Sequence, residues 1–259
     1  MLNIQLALVT GASSGLGKAL CQALAKQNIR LLIVARREDL LKKLALELPS
    51  STQIYRIDLS DPNECKTLIQ LIHQKAPDLI INNAGFGLYG PTLSHPLNEL
   101  EDMVDVNIQA LMKLTIESAR VLQQAKKKGT IVNISSAAAF FSYPTFNVYA
   151  ATKAFVNRFS EGLDEELREQ GIRILTVCPG QIDTDFRKRA SKNFPQRKDG
   201  PFMTPDGAAA LILEQIEKGK ALSIIDWRYR LLVALAKCLP KRLLQAILRS
   251  SLRDRYLAQ

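Results

Sequence analysis

The stretch Thr10-Gly11-Ala12-Ser13-Ser14-Gly15-Leu16-Gly17 decides the fold of this chain. It follows an apolar run, Leu2 to Val9, that has the length of a buried strand. Residues 18–27 come next and carry apolar side chains at helical spacing. A strand, a glycine turn and a helix in this order can cradle a phosphate group, because glycines allow close backbone approach and the helix N-terminus faces the anion. The same glycines also suit a purely structural turn, so the loop needs supporting evidence.

A pair of arginines follows the second apolar strand, residues 30–34. Arg36 and Arg37 lie about 20 residues beyond the glycine loop, where an acidic residue would bind the ribose 2′-hydroxyl of NAD. Arginine at this place accommodates the 2′-phosphate of NADP instead. The pair therefore favours NADP(H) over NAD(H), although it could also be a solvated charge pair beside Glu38 and Asp39.

Tyr149 and Lys153 are the strongest candidates for chemistry. Their spacing of four places both side chains on one face of a helix. A nearby ammonium favours the phenolate and should lower the pKa of Tyr149 toward working pH. Such a tyrosine can exchange a proton with a carbonyl or alcohol oxygen, which a hydroxyl from Ser136 or Ser135 would hold. The alternative is an ordinary surface helix with a tyrosine and a lysine on one stripe.

Strand and helix patterns alternate along the whole chain. This alternation predicts an α/β fold with a parallel sheet covered by helices on both faces. The predicted strands are Ile4–Val9, Leu31–Val34, Gln53–Ile57, Leu79–Asn82, Thr130–Ile134, Ile174–Cys178 and Ser223–Asp226, and the clearest helices are Asn63–Lys75, Leu97–Gln124, Val148–Glu169 and Pro205–Lys218. Ligands of such sheets bind beyond the carboxyl ends of the strands, where the candidate residues fall.

Together these motifs resemble the short-chain dehydrogenase/reductase family. The resemblance rests on the glycine loop, Asp58-Leu59, Asn82-Asn83-Ala84-Gly85, Asn107, the trio Ser136, Tyr149 and Lys153, and Pro179-Gly180 with Thr184, all in the family's order from Leu2 to about Asp226. It implies a Rossmann-type doubly wound sheet of about seven strands in a catalytic domain of residues 1–226. Residues 227–259 would form a basic amphipathic helical extension of that domain.

The resemblance also assigns roles to residues. Tyr149 would be the acid and base, Ser136 the oxyanion stabiliser, Lys153 the residue that tunes the tyrosine and binds the nicotinamide ribose, and Asn107 part of a proton relay. The cofactor contacts would be Gly11, Ser13, Ser14, Gly15, Leu16, Gly17, Arg36, Arg37, Asp58, Leu59, Asn83, Ala84, Gly85, Tyr149, Lys153, Pro179, Gly180, Ile182 and Thr184. The expected enzyme interconverts a carbonyl and a secondary alcohol, with NADP(H) favoured.

Phenylalanines indicate the substrate class. Seven of the nine fall in loops on the expected substrate side: Phe86, Phe140, Phe141, Phe146, Phe186, Phe194 and Phe202. They favour NADPH-linked reduction of an apolar ketone or aldehyde. Two alternatives stay open: a reductase of 3-oxoacyl thioesters on a carrier protein or coenzyme A, and a non-catalytic NADP-binding sensor or membrane-associated protein.

The net charge of +10 is concentrated in two segments. Residues 186–200, expected to be the loop after the sixth strand, hold 6 basic and 1 acidic residue. This loop could attract an anionic substrate or carrier, or be simply solvated. Residues 227–259 hold 8 basic and 1 acidic residue.

The second basic segment has two helical patterns, Arg228 to Lys237 and Lys241 to Leu257, separated at Pro240. The second pattern carries an apolar stripe of Leu243, Leu244, Ile247, Leu248, Leu252 and Tyr256. A basic amphipathic helix can lie on an anionic membrane surface, pack on a partner subunit or fold back over the pocket. These three alternatives stay open here.

Other features bound the function. Four scattered cysteines are expected to be buried and reduced, and the two isolated histidines, His73 and His95, to be surface residues, so no metal is expected. With neither a secretory signal nor an apolar run of membrane-spanning length, a cytoplasmic location is expected, with peripheral membrane contact as an option. No nucleic-acid partner is expected. By family resemblance, the helices around Asn107 and Tyr149 predict a homodimer or homotetramer.

Overall fold

Seven parallel strands form one sheet, as predicted. The computed structural model describes residues 4–49, 51–191, 202–240, 242–246 and 248–249. The strands are β1 (Leu6–Thr10), β2 (Arg30–Ala35), β3 (Gln53–Arg56), β4 (Leu79–Asn82), β5 (Gly129–Ile134), β6 (Ile172–Cys178) and β7 (Leu222–Ile224). Their order across the sheet is β3-β2-β1-β4-β5-β6-β7, and every neighbouring pair is parallel.

Helices cover both faces of this sheet. They are α1 (Gly15–Ala25), α2 (Glu38–Glu47), α3 (Pro62–Lys75), α4 (Leu97–Val104), α5 (Leu111–Gln124), α6 (Asn147–Leu167), α7 (Phe186–Ser191), α8 (Pro205–Lys218) and α9 (Trp227–Cys238). Side chains alternate along each strand: Ala7 and Val9 join a core with α1, α2 and α8, while Leu8 joins one with α3 and α5. The doubly wound architecture is therefore confirmed. Strands β1 to β3 extend the sheet to one side and β4 to β7 extend it to the other, so the order of the strands reverses between β1 and β4.

Three predicted elements differ from the structure. The helix predicted over Leu97–Gln124 contains a π-helical turn at Asp105–Ala110, between α4 and α5. The predicted loop 186–200 begins with the short helix α7, and residues 192–200 lie outside the described part of the chain. The last strand ends at Ile224 rather than Asp226, because the Asp226 carboxylate accepts a hydrogen bond from the Arg228 amide and starts α9.

The basic C-terminal segment begins as the predicted helix. α9 contacts β7 and the 3₁₀ turn Ala137–Phe140, and residues 242–246 and 248–249 are also helical. Ile247, Leu252 and Tyr256 of the predicted apolar stripe lie outside the described residues. Within the described ranges, no helix is both long enough and apolar enough to cross a membrane.

Two expectations about single residues were wrong. Cys21, Cys65 and Cys178 are buried, but Cys238 is exposed because it ends α9 on the outer surface. His73 is exposed and contacts Glu117 at 3.0 Å, whereas His95 is half-buried beside the turn that precedes α4.

Candidate active site

A cavity of about 860 Å³ opens at the carboxyl ends of the strands. It runs from the glycine loop after β1, past the segments that follow β4, β5 and β6, to α7 and α9. Every site residue predicted from the sequence lines this cavity except Asn107. Residues that are far apart in the sequence therefore meet at one place, next to the β1–β4 reversal where open α/β sheets bind their ligands.

The segment after β4 forms hydrogen bonds with the start of the glycine loop and fixes its position. Gly11 has a φ of +67°, and a Cβ there would stand 2.8 Å from Asn83 Nδ2, so only glycine fits. Asn83 Nδ2 donates to the Thr10 carbonyl at 2.9 Å, and the Thr10 hydroxyl accepts the amides of Asn83 and Ala84, each at 3.0 Å. The Asn83 side chain thus fixes the loop shape, while its neighbours Ala84 and Gly85 line the cavity.

The three predicted catalytic side chains come together at the centre of the cavity. Tyr149 and Lys153 stand on α6 and are buried. Ser136 follows β5, and its hydroxyl is within hydrogen-bonding reach of the Tyr149 hydroxyl. Lys153 Nζ donates to the Ile134 carbonyl at 2.9 Å and lies 5.7 Å from the centre of the Tyr149 ring. The arrangement presents one phenol and one alcohol hydroxyl to the same point.

Ser135, the competitor of Ser136, has a structural task. Its hydroxyl donates to the Lys153 carbonyl at 2.9 Å and is buried. This bond ties the end of β5 to α6 and so fixes the position of Lys153 relative to the sheet. Ser136 is left as the serine that faces Tyr149.

The expected lowering of the Tyr149 pKa was wrong in direction. Burial raises the pKa of Tyr149 to about 12, and the hydrogen bond with Ser136 opposes this only in part. The ring is stacked on Phe146 with centroids 4.2 Å apart and lies 5.7 Å from Phe186, so water cannot solvate a phenolate well. Burial also lowers the pKa of Lys153, to about 8. The neutral phenol is therefore the resting form of Tyr149, which suits a proton donor.

Asn107 lies behind the cavity rather than in its wall. It is fully buried in the π turn, where its Nδ2 donates to the Phe86 carbonyl at 2.8 Å and to Thr152 Oγ1 at 3.2 Å. Its Oδ1 accepts the Phe86 amide at 3.1 Å. Thr152 in turn donates to the Tyr149 carbonyl at 2.7 Å, so Asn107 connects the segment after β4 to α6, the helix that carries Tyr149. π turns of this kind occur often at functional sites.

Three guanidinium groups line what we call the arginine end of the cavity, formed by Arg36, Arg37 and Arg189. Arg37 donates to Ser13 Oγ at 3.0 Å and to Ser14 Oγ at 2.7 Å, across the glycine loop. Arg36 lies 3.6 Å from Asp58, a predicted cofactor contact. Arg189 was missed by the sequence reasoning, because it comes from α7, far along the chain. Partial burial, then the positive charge of Arg37, lowers the pKa of Arg189.

The opposite part of the cavity, here called the aromatic end, is lined by Phe86, Leu88, Tyr89, Phe141, Tyr143, Phe146, Phe186, Phe202, Tyr229, Leu232, Leu244 and Leu248. Five of the seven predicted phenylalanines are in this set. Phe140 is not, since its ring faces Lys237, and Phe194 lies outside the described residues. Tyr229 and the three leucines after it were not among the predicted site residues. Their place in the cavity lining agrees with one of the alternatives left open, in which the C-terminal segment folds back over the pocket.

The residues present fit a nicotinamide dinucleotide. The glycine loop offers a backbone cradle that a Cβ would fill, the arginine end offers positive charge, and a proton-donating pair lies between the two ends. A Rossmann-type sheet with these features defines a dinucleotide-dependent oxidoreductase. A family model described as short chain dehydrogenase matches residues 5–194. The chain belongs to the short-chain dehydrogenase family and is an NAD(P)-dependent oxidoreductase.

Known proteins resemble the chain along most of its length. It is 35% identical to serine 3-dehydrogenase of Rhizobium radiobacter over 182 residues, covering 69% of this chain and 72% of that protein. A short-chain dehydrogenase from Sphingobium yanoikuyae, solved in complex with NADPH, is 28% identical with a TM-score of 0.80, covering 85% and 87% of the two chains. A bulky-bulky ketone specific alcohol dehydrogenase from Comamonas testosteroni is 26% identical with a TM-score of 0.77, covering 91% and 93%.

Proposed function

We propose that the protein interconverts a bulky apolar ketone or aldehyde with its alcohol, with NADPH as the favoured cofactor and reduction as the favoured direction. The observation that carries this proposal is the Ser136–Tyr149 hydroxyl pair, which opens into a cavity walled by aromatic and aliphatic side chains. An apolar wall around one polar pair is the usual design of a site that orients an apolar ligand by its single polar group.

A bound nicotinamide dinucleotide would supply the hydride for the carbonyl carbon. As negative charge develops on the carbonyl oxygen, Tyr149 donates its proton and Ser136 donates a hydrogen bond to the same oxygen. Lys153, in its charged form, stabilises the phenolate that Tyr149 becomes. Asn107 acts as a positioning residue, because its amide fixes Phe86 and Thr152 behind this pair. A relay of protons past Asn107 to Lys153 remains a prediction.

The arginine end supports NADPH as the favoured cofactor. Three guanidiniums that share one region repel one another, and an anion between them removes that repulsion. Arginine also binds phosphate with two parallel hydrogen bonds, which the ribose 2′-phosphate of NADPH can accept. The Sphingobium yanoikuyae relative was solved with NADPH, which agrees with this preference. Arg36 and Arg37 of this site follow β2, whereas Arg189 comes from α7.

The aromatic end supports a bulky substrate. Phe146 and Phe186 lie next to Tyr149, with ring centroids 4.2 and 5.7 Å from its own. The rest of the wall includes Phe141, Phe202, Tyr229 and Leu232. Aromatic rings bury large areas of an apolar ligand at low conformational cost. The Comamonas testosteroni relative acts on bulky-bulky ketones, and its fold covers nearly the whole of this chain.

A second candidate function is oxidation of a 3-hydroxy amino acid. Glu99 and Asp102 on α4 line the same cavity, as does Arg187 on α7. The carboxylates of Glu99 and Asp102 could bind the ammonium group of such a substrate, and the guanidinium of Arg187 could bind its carboxylate. The serine 3-dehydrogenase relative is the reason to test this class.

The test is a cofactor titration followed by a substrate panel. Purified protein is titrated with NADPH and with NADH, and NADPH oxidation is then followed with hydrophobic ketones, aldehydes and 3-oxoacyl thioesters. NADP⁺ reduction is followed with serine and related hydroxy amino acids. Turnover of bulky ketones, abolished in Tyr149→Phe, supports the proposal. Turnover of the amino acids or thioesters alone would contradict it, and tight binding without any turnover would favour a sensor.

A further inference from the structure

Exposed apolar side chains are concentrated near the C-terminus. Among the described residues, eight large hydrophobic side chains are exposed, and five of them lie within residues 227–243. Those five are Trp227, Leu231, Leu232, Leu235 and Leu243. Scattered exposed leucines are normal on a protein surface, but a cluster of this kind marks an interaction site.

The exposed side chains of α9 form one continuous stripe. Trp227, Leu231 and Leu235 follow one another at intervals of four and are 68%, 54% and 55% exposed. The other side of α9 packs inward: Val233 is buried, and the Tyr229 ring lies so close to Gly180 that no Cβ would fit there. The fold therefore uses one face of α9 and leaves the apolar stripe outside.

Basic side chains border the stripe on both sides. At about 100° per residue, Arg230 and Lys237 fall on one side of the stripe, and Arg228, whose guanidinium is ion-paired with Asp226 at 2.7 Å, falls on the other. Arg242 and Arg249 follow in the next helical segment and are exposed. An apolar stripe between basic residues is the pattern of a helix that lies in the headgroup region of a bilayer.

The stripe continues into the wall of the active-site cavity. Leu232, next to Leu231 on α9, lines the aromatic end, and so do Leu244 and Leu248 from the following segment. Leu232 is itself half exposed, so it lies at the boundary between cavity and surface. A molecule dissolved in a lipid layer that touched the stripe would be next to the cavity.

We propose that the stripe Trp227, Leu231 and Leu235 docks on the surface of an anionic lipid bilayer. A second copy of this chain is the less suitable occupant, because a symmetric pairing through this face would bring Arg230 and Lys237 of one copy against the same residues of the other. An anionic surface instead attracts each of these charges. Docking there places the aromatic end of the cavity at the lipid surface.

Trp227 gives a direct test, because it is the only tryptophan in the chain. Full-length protein is mixed with vesicles of phosphatidylcholine alone or of phosphatidylcholine and phosphatidylglycerol in equal parts. We expect a blue shift of the Trp227 emission and flotation with the anionic vesicles only, both weakened by salt. The test uses neither cofactor nor substrate, so its result is independent of the proposed reaction.

The stripe variant carries two substitutions, Leu231→Gln and Leu235→Gln. The control variant carries Leu46→Gln and Leu93→Gln, because these leucines are also exposed but lie elsewhere on the surface. The stripe variant should lose about tenfold or more in vesicle affinity, and the control pair should bind like the parent. Unchanged thermal melting shows that each variant is folded. Equal loss in both variants, equal binding to neutral vesicles, or no binding would overturn the proposal. A blue shift that appears without lipid and increases with protein concentration would also overturn the proposal, because it would show that the stripe binds a second copy of the chain.

Discussion

The arginine end and the aromatic end of the cavity are built in different ways. The arginine end is joined to the glycine loop, which rests mostly on backbone geometry. Gly11 has a positive φ, the Asn83 side chain donates to the Thr10 carbonyl, and Arg37 donates to Ser13 and Ser14 across the loop. The aromatic end is a wall of side chains from segments spread between Phe86 and Leu248. The first is fixed by hydrogen bonds and close contacts, whereas the lining of the second consists of aromatic and aliphatic side chains packed on one another.

This difference teaches which part of the enzyme can vary. A backbone cradle tolerates few substitutions, because a Cβ at Gly11 would collide with Asn83. An apolar wall tolerates exchanges of similar volume at small cost. Substrate preference should therefore change by mutation at the aromatic end without loss of cofactor binding, while changes at the arginine end should affect every substrate alike.

The largest effect is expected where the two ends meet. Tyr149→Phe keeps the ring that stacks on Phe146 but removes the proton donor, so kcat should fall by about 10²–10⁴. Cofactor affinity, measured by fluorescence titration, should stay within about threefold of the parent, since the cradle is untouched. Full turnover in this variant would refute the assignment of Tyr149.

A smaller effect is expected from Arg37→Ala and Arg189→Ala, tested singly. A charge-assisted hydrogen bond contributes about 1.5–3 kcal/mol, so each variant should bind NADPH about 10–100-fold more weakly. The affinity for NADH, which lacks the 2′-phosphate, should hardly change. Lys188→Ala is the matched control, because Lys188 is exposed on α7 and is absent from the cavity wall. If Arg189→Ala weakened NADPH and NADH equally, Arg189 would not read the 2′-phosphate.

The third prediction concerns pH. Lys153 is charged below its pKa of about 8 and neutral above it, while Tyr149, with a pKa of about 12, stays protonated throughout. The rate of carbonyl reduction should therefore be level below about pH 8 and then fall by up to about tenfold per pH unit. Single-turnover rates between pH 6 and 10 measure this. A flat profile would show that the Lys153 charge does not assist the proton transfer.

The smallest effect is expected at the outer edge of the aromatic end. Leu232→Gln removes a half-exposed apolar contact worth about 1 kcal/mol, so KM for a bulky ketone should rise about fivefold. Small ketones and both cofactors should be unaffected, because Leu232 is half exposed and lies at the boundary between the cavity and the surface. Kinetics with a matched pair of large and small ketones give the answer, and an equal rise for both would mean that Leu232 acts on the whole site.

Much of the arginine end could be predicted from the sequence because its signals are local. The glycine loop, Arg36 and Arg37 follow their strands directly, and the alternating pattern predicted every strand to within a few residues. The trio of Ser136, Tyr149 and Lys153 was also predicted from local spacing, since Tyr149 and Lys153 lie on one helix and Ser136 precedes it.

The remaining features depend on contacts that spacing does not encode. Arg189 reaches the arginine end only because α7 folds back toward the glycine loop, and Tyr229 reaches the cavity only because α9 packs on Gly180. The direction of the Tyr149 pKa shift was missed because the spacing to Lys153 carries no information about burial. Burial is the largest cause of the shift, and Phe186, which lies next to the Tyr149 ring, comes from α7, far along the chain.

The π turn at Asp105–Ala110 takes up one residue more than an α-helical turn, because its hydrogen bonds run from residue i to i+5. Deleting one residue within it would therefore restore a regular α-helix and leave α4 and α5 with the faces they already present, including Glu99 and Asp102 toward the cavity. The loss would fall on Asn107, whose bonds to Phe86 and Thr152 depend on the bulge. The extra residue is thus a local insertion that places one amide behind the cavity without changing the direction of the helix.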